Sequence, residues 1–150
     1  MGRLTELLEV AQERGQSANV PYRGLIYPLE AAEMLTLAPG ARLVDVRSRA
    51  ELELVGNIPG ALHVEWQSYP GWTANPFFLA QLGQQLDREA LLLFICRSGH
   101  RSHHAAAAAQ QTGFLQCFNI LEGFEGDIDR ASGRRTLGSW KSAGLPWRQG

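Results

Sequence analysis

The feature that most constrains the fold is the run Leu91–Ile95, five apolar residues that end directly at Cys96. A run without alternating polar positions is typical of a strand buried on both faces of a parallel sheet. Residues 42–46 form a second, similar run. Because ligands bind at the carboxyl ends of the strands in such sheets, Cys96 stands where a functional residue is expected.

Strand and helix patterns alternate along the chain, which predicts an α/β fold with a central parallel sheet of about five strands and helices on both faces. Apolar runs predict strands over residues 24–27, 42–46, 61–64, 91–95 and 116–120. Helical spacing and start signals predict helices over residues 3–14, from Pro28 onward, and over 77–86, 101–111 and 137–143. Gly15 and Gly113 are interpreted as helix stops.

The length of 150 residues predicts one compact domain over residues 1–150. The N-terminal helix within residues 1–20 either packs at the periphery of that domain or serves a homodimer contact. A net charge of -1 provides no basic excess for nucleic acid. With no secretory signal and no apolar stretch approaching the ~18 residues of a membrane helix, we expect a cytoplasmic protein that does not bind membranes.

The loop after Cys96 carries the residues that can stabilise an anion. Backbone N–H groups of the loop and of the following helix N-terminus can point at one centre, and Gly99 permits a tight turn there. Positive side chains in the loop favour the thiolate over the neutral thiol. We therefore predict Cys96 as the catalytic nucleophile and the five residues after it as the substrate-binding loop, namely Arg97, Ser98, Gly99, His100 and Arg101.

Other reactive side chains have less specific patterns. Cys117 lies inside an apolar strand and is interpreted as core, with a resolving role towards Cys96 as the alternative. His100 and His104 are one helical turn apart and with Cys96 could hold a metal. Adjacent histidines such as His103 and His104 cannot face one centre together, so we expect no metal and no other cofactor.

Three blocks in this order resemble the family of single-domain rhodanese-like proteins, over about residues 24–147. The first block, residues 43–61, resembles Asp-Val-Arg…Glu…Gly-His-Ile-Pro-Gly-Ala, with Asn57 at the position that often holds His and one extra residue before Gly56. The second is the loop at residues 96–102. The third combines residues 119–124 with the tail 140–146.

Two further features of the blocks have structural interpretations. Arg47 and Glu51 are spaced to pair across one helical turn, and with Asp45 they are interpreted as structural. The aromatic stretch at residues 66–75 is interpreted as surface packing, with lining of the ligand cleft as the alternative.

The resemblance implies a sulfurtransferase that works by covalent catalysis. In that reaction the Cys96 thiolate takes the outer sulfur of thiosulfate or of another persulfide donor, and sulfite leaves when thiosulfate is the donor. The Cys96 persulfide then passes the sulfur to a thiophilic acceptor, which is cyanide in the assay and a thiol or a protein cysteine in the cell. Arg97 and Arg101 would attract the anionic donor, and His100 would hydrogen-bond it.

Two other classes of function remain open at this point. Phosphatases and arsenate reductases also use loops with a cysteine and an arginine, but with five residues between them, whereas four separate Cys96 from Arg101. The shorter loop favours a sulfur atom over a tetrahedral oxyanion. The second alternative is a persulfide carrier or a regulatory interaction module, and a retained cysteine with a full set of loop donors argues against an inert module.

Overall fold

The computed structural model describes residues 2–127, 131–133 and 138–149. Its main sheet has five parallel strands in the order β1-β7-β6-β2-β3. The strands are β1 (Gly24–Ile26), β2 (Arg42–Asp45), β3 (Leu62–His63), β6 (Leu91–Ile95) and β7 (Gln116–Ile120). A separate antiparallel hairpin joins β4 (Gln67–Ser68) to β5 (Thr73–Ala74). The predicted fold class is confirmed.

Helices cover both faces of the sheet, as the strand pattern requires. One apolar cluster lies between the sheet and helices α1 (Arg3–Ala18) and α2 (Pro28–Leu37). The other lies between the opposite face and helices α4 (Phe78–Gln85) and α5 (His100–Gln111). Central strand β6 contributes to both clusters, which explains why its sequence is apolar at every position.

Helix α1 extends four residues beyond the predicted end, so Gly15 is not a helix stop. The helix ends instead at Asn19, whose φ of 55° lies in the left-handed region. Gly15 is buried and faces strand β1, where a Cβ would lie 2.9 Å from the Cα of Gly24. The missing side chain thus lets α1 approach the sheet, and buried Leu7 and Ala11 of the same helix complete that contact.

The sequence pattern does not predict helix α3 (Arg49–Leu54) or the β4–β5 hairpin. Helix α3 begins with a capping box, in which Ser48 and Glu51 satisfy each other's backbone N–H groups. The predicted last helix is wrong over residues 138–143, which form turns, and Leu137 lies outside the described residues. Among the described residues, no helix is long and apolar enough to cross a membrane.

Candidate active site

Strand β6 delivers Cys96 to the carboxyl edge of the sheet, next to the N-terminus of helix α5. The thiol sulfur accepts a hydrogen bond from the backbone N–H of Gly99 at 3.1 Å. Gly99 is the N-cap of α5 and has a φ of 105°, a conformation that side-chain-bearing residues rarely adopt. The sulfur therefore faces the positive end of a 12-residue helix, which stabilises a negative charge on it.

A closed ring of hydrogen bonds surrounds the Cys96 sulfur. The hydroxyl of Ser102 lies 3.2 Å from the sulfur and donates to Oδ1 of Asn119 at 2.5 Å. The Asn119 amide nitrogen donates to the carbonyl of Gly99 at 3.1 Å. Since Gly99 also donates to the sulfur, all four residues hold one another in place, and Ser102 and Asn119 are both buried.

A turn after strand β7 supports the loop from below. The backbone N–H of Phe124 donates to the carbonyl of Cys96 at 2.8 Å, and that of Glu125 donates to the carbonyl of Arg97 at 2.9 Å. Gly123 makes this contact possible, because a Cβ there would overlap the carbonyl oxygen of Cys96. The carbonyls of Cys96 and Arg97 are therefore both fixed by this turn.

The positive side chains of the loop are paired with carboxylates. Arg101 makes a two-bond ion pair with Glu51 at 2.7 and 2.8 Å, and Arg97 lies 3.4 Å from Glu125. His100 is highly exposed, with Nε2 3.7 Å from a carboxylate oxygen of Asp127. The predicted loop residues are therefore brought together, but their charges are shared with acidic partners.

The ion pair of Arg101 with Glu51 is mostly buried, with 17% and 13% of the two side chains exposed. Burial on its own would raise the pKa of Glu51, but hydrogen bonds from Arg101 and Ser48 outweigh it and hold that pKa below its usual range. For Arg101, burial on its own would lower the pKa. The contacts with Glu51 and the charge interaction with Cys96 outweigh burial, so the pKa of Arg101 lies above its usual value. The guanidinium charge is therefore held mainly by the two hydrogen bonds to Glu51.

The predicted pair of Arg47 with Glu51 is wrong. Arg47 instead makes a buried ion pair with Asp45, with Nη2 2.7 Å from Oδ2, and also donates to the carbonyl of Gly56. Its guanidinium carbon lies 4.0 Å from the ring centre of Phe124. The residues at the carboxyl end of β2 are thus tied to the turn that supports the Cys96 loop.

A cleft of about 650 Å³ opens at Cys96. The aromatic stretch lines one side of it, so the alternative interpretation of residues 66–75 is the right one for Gln67, Tyr69 and Trp72. Their signal in the sequence was two aromatic residues around a Pro-Gly turn. The cleft lining also includes the following residues of α3, the Cys96 loop and the supporting turn: Ala50, Glu51, Leu54, Val55, Cys96, Arg97, Ser98, His100, Arg101 and Glu125.

The second cysteine and the other histidines lie away from this lining. Cys117 is fully buried in the core, and burial raises its pKa to about 12. His103 accepts or donates a 2.7 Å hydrogen bond with the Tyr22 hydroxyl. Burial and the neighbouring His104 and His100 lower the pKa of His103. Among the described residues, no group of three or more metal-binding side chains is found.

A parallel α/β sheet with a cysteine loop between β6 and the N-terminus of α5 defines a class of domain that presents a thiol at the carboxyl edge of the sheet, where such folds bind ligands. A family model for the rhodanese-like domain matches residues 28–128, and this chain belongs to that family.

Similar proteins of known sequence or structure are consistent with membership of the rhodanese-like family. The crystal structure of Rv0390 from M. tuberculosis is 43% identical, with a TM-score of 0.77 over 86% of this chain and 99% of that one. An uncharacterized RP600 homolog of Rickettsia rickettsii is 36% identical over 79% of this chain and 92% of its own length. The polysulfide-sulfur transferase homodimer of Wolinella succinogenes shares the fold, with a TM-score of 0.60 at 19% identity, over 97% of this chain and 87% of that one.

Proposed function

We propose that this protein is a sulfurtransferase that carries a sulfane sulfur on Cys96. The observation that carries the proposal is the position of the Cys96 sulfur. It accepts a hydrogen bond from the Gly99 N–H at the helix N-terminus, and Cys96 lines a cleft. The family is one of sulfur-transfer domains, and a protein of the same fold is named a polysulfide-sulfur transferase. A persulfide formed on Cys96 is an anion that the same donors stabilise.

The proposed reaction has two displacement steps, and each forms one bond to sulfur and breaks another. The Cys96 thiolate attacks the outer sulfur of thiosulfate, a new S–S bond forms, and the old S–S bond breaks with its electron pair leaving on sulfite. A nucleophilic acceptor such as cyanide, a thiol or a protein cysteine then attacks the outer sulfur of the Cys96 persulfide. Cys96 leaves as a thiolate, so the loop holds the negative charge before and after each step.

A phosphatase activity is less well supported by the same geometry. Arg101 is the only arginine at the end of the loop, and its guanidinium is committed to Glu51 through two hydrogen bonds. A phosphatase loop needs that guanidinium to bind the oxyanion in a bidentate way. Hydrolysis of an aryl phosphate by the wild-type protein would favour this alternative.

The two cysteines also bear on the compartment in which the protein works. Both cysteines are free thiols, which is consistent with a reducing compartment, and we place the protein in the cytoplasm. The sulfur donor and acceptor inside the cell are then either low-molecular-mass sulfur compounds or the cysteines of other proteins.

The test is the mass of the intact chain after incubation of the reduced protein with thiosulfate. We expect a gain of one sulfur that disappears on addition of cyanide and is absent in Cys96→Ser, while Cys117→Ala still gains it. No gain with thiosulfate or with a persulfide donor would contradict the proposal. A gain that cyanide cannot remove but a partner protein can would indicate a carrier in place of an enzyme.

A further inference from the structure

One wall of the Cys96 cleft is an aromatic hairpin tip. Tyr69 and Trp72 lie between strands β4 and β5. Their rings contact each other edge to face, with 5.6 Å between the ring centres. The guanidinium of Arg101 lies 4.9 Å from the ring centre of Trp72, which anchors the tip against the active-site loop. Both aromatic side chains nevertheless remain about half exposed to solvent.

A second part of the cleft lining is aliphatic. Leu54 at the end of α3 is 75% exposed, and Val55 and Ala50 line the cleft beside it. Large apolar side chains from two separate segments are therefore exposed in the cleft that Cys96 lines. Exposed apolar surface that lines a concave site is typical of a surface that binds an apolar group.

The charges at the same site do not favour a small inorganic dianion. Arg97 and Arg101 line the cleft, and so do their acidic partners Glu125 and Glu51, so these four formal charges cancel. A volume of about 650 Å³ lies within the range of ~300–1,000 Å³ that is typical of sites for organic ligands. Thiosulfate would leave most of this space, and both apolar walls, in water.

We propose that the preferred sulfur compound of this protein is organic, with an apolar body that lies between the Tyr69–Trp72 tip and Leu54 while its terminal sulfur meets Cys96. This inference rests on the proposed function and adds the substrate class to it. As a donor, this compound is a persulfide on an aliphatic or aromatic body that leaves as a thiolate when Cys96 takes the outer sulfur, and as an acceptor it is a different thiol with such a body. Such a body is either a small molecule or a cysteine flanked by apolar residues on a polypeptide.

The test compares three donors of the same chemistry, thiosulfate, methanethiosulfonate and benzenethiosulfonate, with cyanide as acceptor and thiocyanate as product. With an organic thiosulfonate, the Cys96 thiolate takes the outer sulfur and a sulfinate leaves with the electron pair. Each kcat/KM is divided by the rate of the same donor with N-acetylcysteine, which removes differences in intrinsic reactivity. We expect the corrected value for benzenethiosulfonate to exceed that for methanethiosulfonate by about tenfold, because added apolar groups in a pocket give differences of this size.

Variants of the two walls assign the preference to the cleft. Trp72→Ala and Leu54→Ala are each expected to lower the ratio of the two thiosulfonates by about threefold or more, since each removes apolar surface from contact with the body. Leu29→Ala is the matched control, because Leu29 is an exposed leucine on α2 that does not line the cleft. Leu54 is so exposed that its replacement leaves folding intact.

Acceptors distinguish the two sources of the apolar body. After loading with thiosulfate, the protein is offered 2-phenylethanethiol against 2-mercaptoethanol, and a cysteine peptide flanked by leucines against one flanked by glycines. A preference for the apolar member of either pair supports the inference and names the source.

The possible failures can be told apart. Loading by thiosulfate with no apolar preference in any pair, or with a preference that neither wall variant changes, overturns the inference and leaves the proposed function standing. No loading of Cys96 by any of the three donors overturns both.

Discussion

The Ser102 hydroxyl lies between two acceptors, with Oδ1 of Asn119 at 2.5 Å and the Cys96 sulfur at 3.2 Å. A hydroxyl has one hydrogen, which it gives to Asn119 when Cys96 is a thiol that can itself donate. When Cys96 is a thiolate, the same hydrogen can turn to the sulfur, where a charge-assisted bond is stronger. Ser102 is therefore a positioning residue whose hydrogen bond follows the charge on the thiol.

Replacement of Ser102 by alanine should slow the reactions of Cys96 at neutral pH. Loss of one hydrogen bond to a charged group costs about 1.5–3 kcal/mol, so we expect alkylation by iodoacetamide at pH 7 to fall by roughly tenfold or more. Ser17→Ala, an exposed serine on α1, is the control. A rate in Ser102→Ala close to that of the wild type would contradict this role.

The architecture of the sheet could be predicted from the sequence because it rests on local patterns. Leu91–Ile95 is apolar at every position since β6 contacts both apolar clusters, and Cys96 follows it directly. The prediction for Gly15 is wrong because a glycine near a helix end has the same appearance whether it ends the helix or allows close packing. Only the position of Gly24 on the neighbouring strand distinguishes the two.

The candidate site could be predicted only in part, because several of its contacts join distant segments. Arg101 pairs with Glu51, fifty residues away, and the nearer Arg47 turns towards Asp45. Sequence spacing detects pairs on one helix, not pairs between α3 and α5. Asn119 did carry a signal, since a polar residue inside an apolar strand needs a buried partner.

Cys117 should not react in the native protein. Its pKa is raised to about 12 by burial, so at pH 8 it remains a neutral thiol without solvent contact. Alkylation at pH 8 should therefore add one group to the wild-type chain and none to Cys96→Ser, as measured by intact mass. Unfolding in urea should expose Cys117 in both proteins, so that each chain gains one further group. Rapid labelling of Cys117 in folded Cys96→Ser would show that this part of the core opens readily.

Replacement of Glu51 by glutamine should reduce stability in a pH-dependent way. A carboxyl whose pKa is lowered in the folded state stabilises it above the ordinary value near ~4.3, and this contribution disappears as the pH falls through the folded value. Glutamine retains the capping position but loses the charge opposite Arg101. We expect a loss of about 1–2 kcal/mol at pH 7 for this mostly buried pair, and little difference from wild type at pH 3.

The measurement is urea unfolding of both proteins at the two pH values. Glu53→Gln is the matched control, because Glu53 lies on the same helix in an exposed ion pair with Arg49. That variant should change stability by less than about 0.5 kcal/mol. A loss in Glu51→Gln that persists unchanged at pH 3 would mean that the charge of Glu51 is not its cause.

Asp45→Asn should be the most damaging of these substitutions. Its carboxylate is 1% exposed and Arg47 is fully buried, so the change leaves a guanidinium in the core without its counter-charge. Removal of one partner of a buried ion pair costs about 3–5 kcal/mol, whereas replacement of both partners by apolar groups costs much less. We therefore expect Asp45→Asn to lower the free energy of unfolding by about 3 kcal/mol or more, and Asp45→Leu with Arg47→Met to recover part of it. A double variant less stable than Asp45→Asn would show that Arg47 acts mainly through Gly56 and Phe124, which tie strand β2 to the turn beneath Cys96.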